Sequence, residues 1–143
     1  MKIALVQSNY HIGNFEFNTQ KIIDGINKAS QQGAELAIFS ELCLTGYPPR
    51  DFLEFNDFLQ QTQDCIQTIA THTQNIGVLI GAPTPNQSLL GKNLFNSAVY
   101  IYKGKVQQVV NKTLLPTYDV FDEYRYFEPN TEFNCIVHEG KKI

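Results

Sequence analysis

Two residues of this sequence stand where proteins commonly place their chemistry. Glu41 follows the apolar run Ala34 to Phe39, and α/β proteins tend to set ligand sites just past the carboxyl ends of buried strands. A carboxylate there is expected to be partly desolvated, which suits a general base. Position alone also fits a solvated glutamate opening a surface loop, because acidic side chains are mostly exposed. Lys112 follows the run Val106 to Val110. At a strand end it could act as a fixed cation facing a developing oxyanion, or simply be solvated. Beyond it, Asp119, Asp122 and Glu123 fall at helix-like spacing before Arg125. They could hold a hard cation, but no EF-hand glycine pattern accompanies them. A solvated acidic turn paired with Arg125 is the plainer expectation. The aromatic residues around them suggest packing or the wall of a small-molecule pocket.

Other chemistries lack their residues. The sequence has no glycine-rich phosphate loop and no G-x-S-x-G elbow, and His11, His72 and His138 are scattered. The cysteines Cys43, Cys65 and Cys135 match no zinc or redox spacing. Cys43 reads as a small buried side chain beside the candidate site, Cys65 as core, and Cys135 as a strand residue.

These residues need elements to carry them. Ile3 to Val6 reads as a buried strand. Thr19 to Gln32 reads as a helix with Ile22, Ile23, Ile26 and Ala29 on one face and Gly33 as its stop. Ala34 to Phe39 is a second strand, and Leu42 to Phe55 is a loop broken by Gly46, Pro48 and Pro49. Asn56 or Asp57 is expected to cap a second helix, with Phe58, Leu59, Cys65, Ile66, Ile69 and Ala70 on its apolar face. Ile76 to Ala82 is a third strand. Phe95 to Tyr102 and Lys105 to Asn111 form a hairpin turning at Lys103-Gly104. Thr113 to Asn130 is mixed, and Phe133 to His138 is a last strand. Alternating strands and helices followed by a hairpin predict an α/β domain spanning residues 1–143. Periodicity alone does not separate a doubly wound sheet from a two-sheet sandwich flanked by helices.

Composition narrows the function. Lysine and arginine total 11 against 14 aspartates and glutamates, a net charge of -3, which leaves no electrostatic footprint for nucleic acid. No apolar run reaches the roughly 18 residues that a membrane helix needs. The opening residues turn polar too early for a signal peptide, so a reduced, cytoplasmic setting is expected.

In order along the chain, Lys2 to Gln7, Ala37-Ile38-Phe39-Ser40-Glu41-Leu42 and Asn111-Lys112-Thr113-Leu114-Leu115-Pro116 resemble the nitrilase superfamily. Its amidases use a Glu–Lys–Cys triad on an α-β-β-α sandwich. Leu44 to Asp51 and Tyr118 to Phe127 are further similar to segments of the glutaminase domain in glutamine-dependent NAD synthetases. The resemblance covers essentially the whole chain. It implies Glu41 as general base, Lys112 as oxyanion stabiliser, Tyr47 and Tyr118 as walls of the glutamine pocket, and Glu123 as a second glutamate supporting the triad. The family's cysteine, in a stretch like Gly-x-x-Ile-Cys-Glu-Asp, has no counterpart here, so the chain is expected to be the front part of the domain and inactive alone. An exposed apolar face and self-association into a homo-oligomer are expected with it. No cofactor or metal is implied in residues 1–143. Glutamine is the implied substrate, and ATP and Mg belong to the synthetase domain that would follow. A stand-alone amidase of the superfamily and a non-catalytic module are the competing readings.

Overall fold

The computed structural model describes residues 1–88 and 90–143. Five strands form one sheet in the order β1 (Ile3–Val6), β2 (Leu36–Phe39), β3 (Gly77–Pro85), β4 (Leu94–Tyr102) and β5 (Lys105–Asn111). The first three run parallel and the last two antiparallel. Parallel neighbours need crossover helices, and α1 (Phe15–Gln31) and α2 (Asn56–Ala70) supply them. The β4–β5 hairpin turns where expected, with positive φ at both Lys103 and Gly104, a backbone that suits the twist of the flanking strands.

Both helices lie on one face of the sheet. Ile22, Ile23 and Ile26 of α1 and Ile66 and Ile69 of α2 join Ala37, Phe39, Val78, Ile80, Val99 and Ile101 in the main core. Full burial of one such side chain contributes roughly 1.5–3 kcal/mol. Strand alternation sends Ile3, Leu5, Ile38, Leu79 and Val110 to the opposite face, where Leu5 is 76% exposed and Ile3 42%. That face is covered at one corner, where Ile136 and His138 lie over Leu36, Tyr100 and Gly77. The α/β class and one helix-covered sheet are therefore present in these residues.

Several boundaries differ from expectation. Helix α1 starts at Phe15, four residues before Thr19, because the Asn14 side chain accepts the Phe17 N–H and caps it. Neither Asn56 nor Asp57 caps α2; Phe55 holds the cap position without a side-chain bond, and Asp57 instead places a negative charge in the first turn. The loop Leu42 to Phe55 contains a short 3-10 helix over Arg50–Glu54. The strand expected over Phe133 to His138 shrinks to β6 (Val137–His138), paired with β7 (Lys141–Lys142). Phe133 is 85% exposed and Cys135 lies on the surface outside any strand, so in this stretch only Ile136 and His138 turn inward. Within Thr113 to Asn130 one helical turn forms, α3 (Glu123–Tyr126).

Candidate active site

Glu41 sits in the turn leaving β2, and three features hold that turn. Leu42 adopts a left-handed φ of 47°, a conformation non-glycine residues keep only when the surroundings enforce it. The Leu44 N–H reaches the Gly81 carbonyl on β3 at 3.4 Å. The buried Asn18 amide ties the carbonyls of His11 and Leu44 together at 2.8 and 3.0 Å. Strand β3 passes directly beneath, and only glycine fits: a Cβ on Gly81 would lie 2.3 Å from Leu42 N and 2.7 Å from Glu41 Cα. Gly81→Ala is expected to displace this turn and cost about 1–3 kcal/mol, as overpacked cores do. An unchanged thermal unfolding midpoint would show that the turn yields freely.

Lys112 follows β5 and is fixed from both sides. Its N–H donates to the Asn96 carbonyl at 2.8 Å, and its carbonyl accepts the Asn130 N–H at 3.0 Å. Its Nζ lies 2.7 Å from Glu41 Oε1 and 2.8 Å from Glu123 Oε2. Glu123 reaches it because the Glu123 N–H bonds the Pro116 carbonyl and the Phe127 N–H bonds the Glu123 carbonyl. Phe127 is buried and bridges to Leu94 at the start of β4. Burial works against the Lys112 ammonium, but the hydrogen bonds and charges of Glu123 and Glu41 outweigh it and hold its pKa above the ordinary lysine value. Lysine's contribution to stability is therefore fully present at neutral pH and is lost only as alkali passes that raised value.

The carboxylates differ in setting. Glu123 is 5% exposed and accepts the Tyr47 hydroxyl at 3.2 Å on Oε1. Glu41 is 45% exposed, so the partial desolvation expected of it is not found. A cleft of about 360 Å³ opens here, lined by Glu41, Asn96 and Lys112 with Leu79, Ala98 and Val110 along its apolar wall. Tyr47 and Glu123 lie behind it, in a narrow neighbouring crevice with Leu42 and Val120. Burial, then the charge and hydrogen bond of Glu123, push the Tyr47 hydroxyl upward, so it stays a donor. Tyr118 is 69% exposed. It borders a shallow hollow shared with Lys112 and Tyr124, and Phe121 packs against both Tyr118 and Tyr47.

The acidic turn divides. Asp119 adopts positive φ, and of the three carboxylates Glu123 alone meets Lys112. Arg125 pairs with Asp51 at 3.2 Å rather than with Asp119 or Asp122, and the Tyr126 hydroxyl bonds the same Asp51. The bridge thus joins the Pro48–Pro49 loop to α3. Among the described residues no cluster of potential ligands could hold a metal ion, and no helix is long and apolar enough to cross a membrane.

Asn96, which no motif singles out, also belongs to the site. Its Nδ2 donates to Glu41 Oε1 at 2.5 Å and lies 3.4 Å from Glu123 Oε2. An asparagine inside an apolar strand, where that residue type is depleted, was the available signal.

None of the three cysteines lines the cleft. Cys43 is 1% exposed, its Sγ 3.6 Å from the Gly81 carbonyl, and burial pushes its thiol up to about 12. In the native protein at pH 8, a thiol reagent is expected to label the exposed Cys135 and spare Cys43 until the chain is denatured. Because its folded pKa exceeds its unfolded one, the stability tied to the neutral Cys43 is complete below about pH 9 and lost as pH rises toward about 12. Rapid labelling of Cys43 in the folded state would contradict this.

Comparison with known proteins agrees with this geometry. Over 145 residues the chain is 39% identical to the glutamine-dependent NAD(+) synthetase of Synechocystis sp., covering 99% of this chain and 26% of that protein. It is 36% identical to that of Thermotoga maritima, over 95% of this chain and 23% of the relative. The chain thus spans about a quarter of the length of the curated relatives it matches. The solved structure of glutamine-dependent NAD+ synthetase from Acinetobacter baumannii, in complex with ADP, superposes with a TM-score of 0.88 at 36% identity, covering 98% of this chain and 26% of that one. An amidase from Nesterenkonia sp. AN1, of the nitrilase superfamily, shares the fold at a TM-score of 0.82 and 23% identity, over 99% of this chain and 53% of its own. The carbon-nitrogen hydrolase model matches residues 2–143, and with the Glu41–Lys112–Glu123 constellation at the end of its sheet the chain belongs to the carbon-nitrogen hydrolase family.

Proposed function

We propose that this chain is the front part of a glutaminase domain that supplies ammonia to a cytoplasmic glutamine-dependent NAD synthetase. The observation that carries the reading is the Lys112 ammonium held between Glu41 and Glu123 at the mouth of the cleft. The likeness to synthetases over nearly the whole of residues 1–143 supports it.

In this reading a cysteine thiol from outside residues 1–143 attacks the side-chain carbon of glutamine. Glu41 takes the thiol proton, the carbon–sulfur bond forms, and Lys112 faces the oxyanion. An ammonium has three donors; two go to Glu41 and Glu123, which leaves one for that oxygen. Collapse of the intermediate breaks the carbon–nitrogen bond, and Glu41 passes its proton to the departing ammonia. Water, deprotonated by Glu41, then attacks the thioester and releases glutamate and the thiol. One base thus serves both halves of a covalent mechanism. Glu123 and Tyr47 hold Lys112 from behind, and Tyr118 borders the approach of glutamine. The ammonia would be consumed in a further domain that amidates nicotinic acid adenine dinucleotide with ATP and Mg.

The test is nitrogen-source use by the full-length protein. With glutamine it is expected to form NAD and release glutamate in equal amounts. NAD formation from free ammonia with no glutamate released from glutamine would remove the reading.

A further inference from the structure

We propose that Asn96 is a positioning residue that decides which oxygen of Glu41 serves as the base, a proposal whose kinetic side rests on the glutaminase reading. Asn96 is 3% exposed and lies on β4, one residue from the Ser97–Asn111 pair that brings Lys112 alongside. Its backbone carbonyl holds the Lys112 N–H while its side-chain amide reaches Glu41 Oε1 and Glu123 Oε2. One residue therefore sets the spacing of all three charged groups.

The pattern at Glu41 is lopsided. Oε1 accepts from both Asn96 and Lys112, at 2.5 and 2.7 Å, whereas among the described residues Oε2 accepts from none. An oxygen whose lone pairs are taken by an amide and an ammonium is a poor proton acceptor, so the free Oε2 is the basic one. Glu123 has no such freedom: Tyr47 holds its Oε1, and Lys112 and Asn96 meet its Oε2. This separates the roles of two carboxylates that share one ammonium. The uncharged donor also matters, since a second cation here would neutralise the pair and weaken the base. The charged and titratable groups facing Glu41 are Lys112, Glu123 and Tyr47.

Asn96→Ala and the isosteric Asn96→Asp distinguish donation from space filling. In the full-length protein both are expected to lower kcat for glutamine hydrolysis about tenfold or more, the scale of a hydrogen bond to a charged group, with KM little changed. Losing a donor to the charged form moves the acid limb of the pH–rate profile upward, further for Asn96→Asp, which adds a negative charge. Wild-type kinetics in Asn96→Asp, or an unmoved acid limb in both variants, would overturn the proposal. A second readout needs neither turnover nor an altered Asn96. The side-chain amide proton signals of Asn96 are expected to shift on Glu41→Gln, and indifference to that change would also overturn it. If the wild-type protein hydrolyses no glutamine, the functional reading falls while the amide signals still decide the Asn96 geometry.

Discussion

Glu41→Gln is expected to lower glutamine-driven turnover of the full-length protein by about 10²–10⁴-fold, the range typical of a lost general base, while turnover with free ammonia is unchanged. The substitution isolates proton transfer because the replacement is nearly isosteric. A glutamine carbonyl can still accept from the Asn96 amide and the Lys112 ammonium, which lie 2.5 and 2.7 Å from Glu41 Oε1. The lost ion pair is half open to water, so the stability cost stays at or below about 1 kcal/mol. A large fall in unfolding temperature would point to a structural role. Full activity with both nitrogen sources would end the base assignment.

Lys112→Met tests the other half of the pair and should act on activity and stability together. Loss of one oxyanion donor typically costs about 3–4 kcal/mol, or about 10²–10³-fold in kcat. The stability effect comes from what remains: among the described residues Glu123, 5% exposed, keeps only the Tyr47 hydroxyl at 3.2 Å and the Asn96 amide at 3.4 Å, and Glu41 stays nearby as a like charge. Leaving a buried charged group short of partners costs about 1–3 kcal/mol or more. Acid should shrink this deficit, because protonation removes the repelling charges. The double variant Lys112→Met/Glu123→Gln should regain much of the stability in thermal denaturation and none of the glutamine-driven activity. Equal loss of stability in both variants would show that the unpaired Glu123 is not its source.

Much of the scaffold was legible in local patterning. The apolar runs at Ile3, Leu36 and Gly77 became the parallel strands, Lys103-Gly104 turned the hairpin, and Ile22, Ile23 and Ile26 faced the core. These features depend on neighbouring residues and on burial of one face, which the order of residue types records directly. Errors fell where local pattern and long-range contact part. Phe133 to His138 alternates like a strand, but among the described residues only Val137 and His138 pair with a neighbouring strand. The helix expected from Thr19 starts earlier, because Asn14 caps α1 through a bond from the Phe17 N–H.

The candidate site divides in the same way. By itself the sequence determined that Glu41 and Lys112 each end a strand and, through the motifs around them, which family they resemble. Only the tertiary structure decided that they meet. It spans 71 residues to bring Lys112 Nζ to Glu41, turns Arg125 away to Asp51, and selects Glu123 from three carboxylates. It also inserts Asn96, whose two carboxylate neighbours lie 55 and 27 residues away. No local window contains that arrangement, because it arises from strand register across β4 and β5 and from the close passage of Gly81 beneath the Glu41 turn.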